Sequence, residues 1–78
     1  MIVYKFRVEK RDFDELKNRQ FIIRKSEKEY RPLERVEFHE FENGEASGRV
    51  LKGLITSVDD DLEGLLPGYK IISFVRRQ

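Results

Sequence analysis

Seventy-eight residues, 40% of them charged and summing to a net charge of +1, make a single domain over 1–78 with room for one thin core. The chain has no cysteine, which excludes a disulfide framework and thiolate metal ligation, and no apolar run approaches the roughly 20 residues that span a bilayer. Strand pattern begins directly after Met1 without a leader, so the expected setting is a soluble, unprocessed, cytoplasmic protein.

In chain order, Ile2, Tyr4, Phe6 and Val8 alternate with Val3, Lys5 and Arg7, a period of two that predicts a strand with one apolar face and with Lys5 and Arg7 on the other. Lys10 to Asn18 carries Phe13 and Leu16 three apart, with Asp12, Asp14 and Glu15 toward its start, and predicts a helix of two or three turns. Gln20 to Lys25 is the second strand, with Phe21 and Ile23 on one side and Gln20, Ile22 and Arg24 on the other. Ser26 to Leu33 is a polar loop bearing Lys28, Tyr30 and Arg31.

Arg35 to Glu42 alternates until Phe41 breaks the parity, which predicts a bulge or a change of partner near His39 and Glu40. Asn43-Gly44 is a hairpin signal, because both residues tolerate positive φ, and Ser47-Gly48 predicts a longer connection. A long strand over Arg49 to Val58 places Val50, Leu54 and Val58 on one face and Leu51 and Ile55 on the other, with a kink expected at Gly53. The acidic stretch Asp59, Asp60, Asp61 and Glu63 reads as a solvated connector. The last strand covers Tyr69 to Val75, and Arg76, Arg77 and Gln78 read as a frayed tail. The fold class that follows is α+β: a small, mostly antiparallel, five-stranded pseudo-barrel with one short helix beside it.

Chemistry is constrained by inventory. One His and no Cys leave no ordinary zinc site and no Cys-His pair, the glycine-rich phosphate loops are missing, and the acidic connector lacks the spacing of a calcium loop. No metal, cofactor or catalytic residue is therefore expected. His39 has Glu37 and Glu40 as available partners. Charge is distributed unevenly: residues 1–35 hold eleven Lys and Arg against seven Asp and Glu, whereas residues 36–78 hold five against eight. If the basic half gathers on one face it attracts polyanions; dispersed, it is only a solvated surface.

Between Arg19 and Lys25 the chain reads Arg-Gln-Phe-Ile-Ile-Arg-Lys, preceded by a strand and a short helix. A polar loop, a strand reaching Glu40-Phe41, Ser47-Gly48-Arg49 after a hairpin, and a terminal Gly68-Tyr69-Lys70-Ile71-Ile72 follow in turn. In order and spacing, from Tyr4 to Phe74, this resembles the ASCH domains of the PUA-like superfamily, in particular short bacterial and phage members of unknown function. The resemblance implies a pseudo-barrel with a helix beside a cleft and an RNA or nucleotide partner. Ile23-Arg24 keeps the family pattern, whereas Lys17 and Arg19 stand at the family's Gly and Lys positions, and Glu34-Arg35 replaces its Gly-Asp. A hydrolytic branch of the family, resembling amidohydrolases of acylated cytidine, uses a Lys and a Thr whose matching positions here are Arg19 and Ile22. Arginine does not readily give up a proton near neutral pH and isoleucine has no hydroxyl.

The expectation is a noncatalytic RNA- or nucleotide-binding module. Arg24 is expected at the cleft floor, Arg19 and Lys25 as phosphate partners, Tyr30 and Arg31 on the loop rim with Tyr30 stacking on a base, and Lys5 and Arg49 as further contacts. The alternatives are a small amide or nucleoside hydrolase and a protein-interaction or regulatory adaptor. For Tyr30 the competing reading is packing over the core edge with its hydroxyl in water; for Arg24 it is an internal ion pair with Glu40 or Glu37.

Overall fold

The alternation in the first segment produces strand β1 (Val3–Glu9), whose inward residue Val8 is buried while Lys5 and Arg7 stand in solvent. The computed structural model describes residues 2–77, so Gln78 of the expected tail lies outside the described residues. Helix α1 (Lys10–Leu16) has seven residues, too few to persist alone, and is held by burying Phe13 and Leu16. It ends where the backbone N–H groups of Asn18 and Arg19 both donate to the Glu15 carbonyl.

Strands β2 (Phe21–Lys25), β3 (Arg35–Glu42), β4 (Glu45–Asp59) and β5 (Tyr69–Arg77) complete the chain. The five strands form one curled sheet in the order β1-β3-β4-β5-β2, a half-barrel with the single helix against it. β1 runs parallel to β3, and the other three pairings are antiparallel. The expected α+β barrel-like class is therefore the observed one.

The core lies inside the curl, where Val36, Phe38, Ile55, Ile72, Phe74 and the helix residue Leu16 are fully buried. Phe38 stacks on Phe6 at 5.6 Å and packs against Phe74 at 4.7 Å between ring centres. Of the apolar residues of β2 only Ile22 reaches this core; Phe21 and Ile23 face outward.

Three expectations are corrected. Asn43 (φ 54°) and Gly44 (φ 81°) make a tight two-residue turn with Glu42 opposite Glu45, so strand begins at Glu45 and Ser47-Gly48 does not lengthen the connection. Ser47 and Gly48 belong instead to the bulge expected near Glu40, where the register shifts between His39 and Phe41. Gly53 is not a kink: the ladder runs unbroken through Val36, Gly53 and Arg76, and the irregularity lies between Ile55 and Ser57. Arg76 and Arg77 are strand rather than tail, paired with Gly53 and Lys52.

Candidate functional site

Because β1 and β2 stand at the two ends of the strand order, the curl leaves a seam between them. The seam opens into a cleft of about 430 Å³, bounded by Arg7, Val8 and Glu9 of β1, Ile22, Ile23 and Arg24 of β2, and Asp12 and Leu16 of α1. Arg19, in the turn between α1 and β2, completes the basic lining. The volume falls in the range of small-molecule sites, about 300–1,000 Å³.

Arg24 crosses the seam. Its Nη2 donates to the Arg7 carbonyl at 2.6 Å, and its guanidinium lies over the Phe6 ring at 5.6 Å. The alternation of β2 explains the position: Arg24 shares the inward side with Ile22 but sits two residues nearer the strand end, where that side opens onto the cleft. The guanidinium of Arg7 lies over Phe41 at 4.9 Å. Among the described residues, neither Arg7 nor Arg24 forms an ion pair with a carboxylate. Glu40 and Glu37, the carboxylates weighed for Arg24, are engaged elsewhere. Arg19 pairs with Glu15 at 3.7 Å and lies over Phe21 at 5.1 Å.

Of the seven residues expected at the site, Arg24 and Arg19 line this cleft. Lys25 is exposed on the outer side of β2, with its stem beside Gly68. Arg31 is exposed in the loop, and Lys5 faces outward from β1 opposite Glu37.

Tyr30 is not a stacking residue on the rim. Its ring is only 8% exposed, set edge-on to Tyr4 at 4.6 Å and near Phe6 at 5.9 Å. The competing reading, packing against the core, describes the ring, but the hydroxyl meets Ser26 Oγ at 2.7 Å rather than water. The loop around it is pinned further: Tyr4 donates to the Glu29 carbonyl, Glu34 accepts from the Arg31 N–H at 2.7 Å, and Lys70 donates to the Lys28 carbonyl. Burial, then the hydrogen bond to Glu34, raises the Tyr4 hydroxyl pKa above its ordinary value of 10.0.

Arg49 is committed to the fold. Its Nη1 donates to Glu40 Oε2 at 3.0 Å, its Nη2 reaches Asp14 at 3.4 Å, and it lies over Phe13 at 4.8 Å. Ser47 donates to the other Glu40 oxygen at 2.6 Å, so the bulge satisfies a carboxylate only 2% exposed. His39 pairs with Glu37 at 3.0 Å.

Sequence reasoning placed Arg7 on a solvent face but not at the site. The available signal was its position late in an edge strand, one residue beyond the inward Phe6 on which Arg24 rests. Among the described residues no group of three or more His, Asp or Glu side chains is arranged to hold a metal ion, and no helix is long and apolar enough to cross a membrane. Compared with known proteins, the chain matches no protein-family model and no curated sequence.

Proposed function

We propose that the protein is a noncatalytic RNA- or nucleotide-binding module of the ASCH type, with the seam between β1 and β2 as its phosphate-binding cleft. The observation that carries this reading is that Arg7 and Arg24 line one cleft and that neither, among the described residues, forms an ion pair with a carboxylate. Two such guanidinium groups are stabilised by an anion, and planar guanidinium donors match phosphate oxygens. Arg19 adds a third cation at the helix end of the cleft, and Glu9 and Asp12 on the same wall are placed to accept from base or ribose donors.

Binding without chemistry fits the residues at the two positions that the family resemblance assigns to catalysis. Arg19 is an always-charged side chain paired with Glu15, and Ile22 is buried at 4% exposure.

Titrating the protein with single-stranded RNA, duplex RNA and single-stranded DNA over a salt series tests the reading. Affinity should fall with salt, favour RNA and be lost in Arg24→Glu. Because Arg24 also spans the seam, Arg7→Glu is the cleaner variant, since Arg7 enters the Arg24 hydrogen bond only through its backbone carbonyl, which the substitution keeps, while its guanidinium is lost from the cleft lining. Unchanged affinity in a folded Arg7→Glu protein would overturn the assignment.

A further inference from the structure

The outer face of the sheet carries a second concentration of positive charge that the seam does not use. Its residues line up across strands: Lys5 of β1 stands opposite Glu37 of β3, Glu37 opposite Lys52 of β4, and Lys52 opposite Arg77 of β5. In the neighbouring rows Arg35 lies between Val3 and Leu54, and Arg7 stands opposite His39. Arg35, Lys52 and Arg77 also converge on one shallow hollow of about 170 Å³ in which Glu37 is the only carboxylate among the described residues. That carboxylate is already engaged by His39 Nε2 at 3.0 Å, and among the described residues none of the three cations has an ion-pair partner.

The members Lys5, Glu37 and Lys52 alternate in sign, as solvation and sheet stability alone would arrange them; the pair Lys52 and Arg77 does not. Like charges directly opposite one another, as Lys52 and Arg77 are, destabilise a sheet, whereas alternating signs would stabilise it at no loss of solubility. Arg35, Lys52 and Arg77 stand on the adjacent strands β3, β4 and β5, a span of two inter-strand steps or roughly 10 Å, which suits a chain of phosphates rather than one. Arg7 lines the seam and stands on β1 two residues beyond Lys5, which places a cation of the cleft next to the outer-face row.

We propose that the outer face of β1, β3, β4 and β5 is a phosphate track on which Arg35, Lys52 and Arg77 hold the backbone of an oligonucleotide whose neighbouring segment occupies the seam. The inference rests on the seam reading and deepens it: the ligand is a polynucleotide long enough to leave the cleft, not a free nucleotide. Recognition on the track is through backbone phosphate, because among the described residues the hollow is lined by cations and by no aromatic ring for stacking.

The test compares a uridine dodecamer with uridine monophosphate on wild type, the double variant Lys52→Glu/Arg77→Glu, Arg7→Glu and Glu37→Gln. The track predicts that the double variant binds the dodecamer at least about tenfold more weakly, with a salt slope shallower by about 1.4, the value for two lost single-strand phosphate contacts. Its affinity for the monophosphate should be unchanged, while Arg7→Glu loses both ligands. Glu37→Gln, which removes the one opposing carboxylate, should bind the dodecamer more tightly. Thermal melts of each variant confirm that it is folded.

A folded double variant with wild-type dodecamer affinity and salt slope would overturn the track and leave the seam reading standing. Wild-type protein that binds neither ligand would overturn both. Equal affinity for polyglutamate and the dodecamer at the same salt would overturn the choice of nucleic acid as the occupant.

Discussion

Gly53 of β4 lies so close to Phe74 of β5 that a β-carbon at residue 53 would come within 2.9 Å of the Phe74 ring, 3.0 Å of the Val75 carbonyl and 3.3 Å of Val36. The glycine is therefore a packing requirement at the centre of the sheet. Gly53→Ala should destabilise the protein by about 1–3 kcal/mol, the usual cost of overpacking. Urea denaturation would measure it, and an unchanged midpoint would mean that Phe74 has room to swing aside.

Glu40 has both oxygens satisfied from β4, one by Ser47 and one by Arg49. Removing the guanidinium leaves a buried carboxylate short of a charged donor, so Arg49→Ala should cost about 1.5–3 kcal/mol. Glu40→Gln in the Arg49→Ala background should recover part of that loss, because the charge is then gone from the interior. A double-mutant cycle reads the coupling, and strictly additive losses would show that the two residues act independently.

Tyr4 links alkaline pH to stability. Its folded-state pKa lies above the ordinary value of 10.0, so the native state retains the phenolic proton that the unfolded state gives up. Its contribution is fully present below pH 10.0 and is lost as pH rises through the folded pKa. Lysines and the other tyrosines titrate in the same region. The readout is therefore the difference: Tyr4→Phe should show a shallower decline than wild type above pH 10.0, and parallel curves would count against the linkage.

Tyr30 separates stability from binding. Tyr30→Phe removes the hydrogen bond to Ser26 and should cost about 0.5–1.5 kcal/mol. Tyr30→Ala removes the ring from between Tyr4 and Phe6 and should cost about 3–5 kcal/mol. RNA affinity measured on the folded Tyr30→Phe protein should match wild type, and a marked loss would return the hydroxyl to the binding surface.

What the sequence made legible is what local chemistry dictates. Period-two alternation identified β1, the spacing of Phe13 and Leu16 identified α1, Asn43-Gly44 identified the turn, and Phe41's broken parity identified the bulge at Glu40. Misplaced elements involved a local signal with two meanings. Ser47-Gly48 has the composition of a loop but serves a bulge, and Gly53 has the composition of a kink but serves a close approach.

The long-range relationships were not legible. Nothing near Val3 announces a parallel pairing with Arg35, and nothing near Arg24 announces the carbonyl of Arg7. Tyr30 sits among Lys28, Glu29 and Arg31, a polar run that gives no sign of an aromatic interior reached from the other side by Tyr4 and Phe6. Arg24 and Arg19 could be placed beside one another because the helix and strand that flank them follow from local pattern; Arg49 was drawn into the fold by a bulge whose partner the sequence does not specify.

The strand order also governs how the chain assembles. Only β3 and β4 are joined by a tight turn, whereas β1 must await β3 across a helix, a strand and a loop, and β2 must await β5, with Phe21 meeting Ser73. Closing those long loops costs entropy before any contact is gained, so the β3–β4 hairpin is the natural nucleus and β2 the last strand to be secured. Pulse-labelled hydrogen exchange should protect the amides of β3 and β4 before those of β2. During synthesis, β2 emerges with Ile22 and Ile23 long before the strand that will pair with them, and the flanking Arg19, Arg24 and Lys25 keep that waiting segment soluble by mutual repulsion.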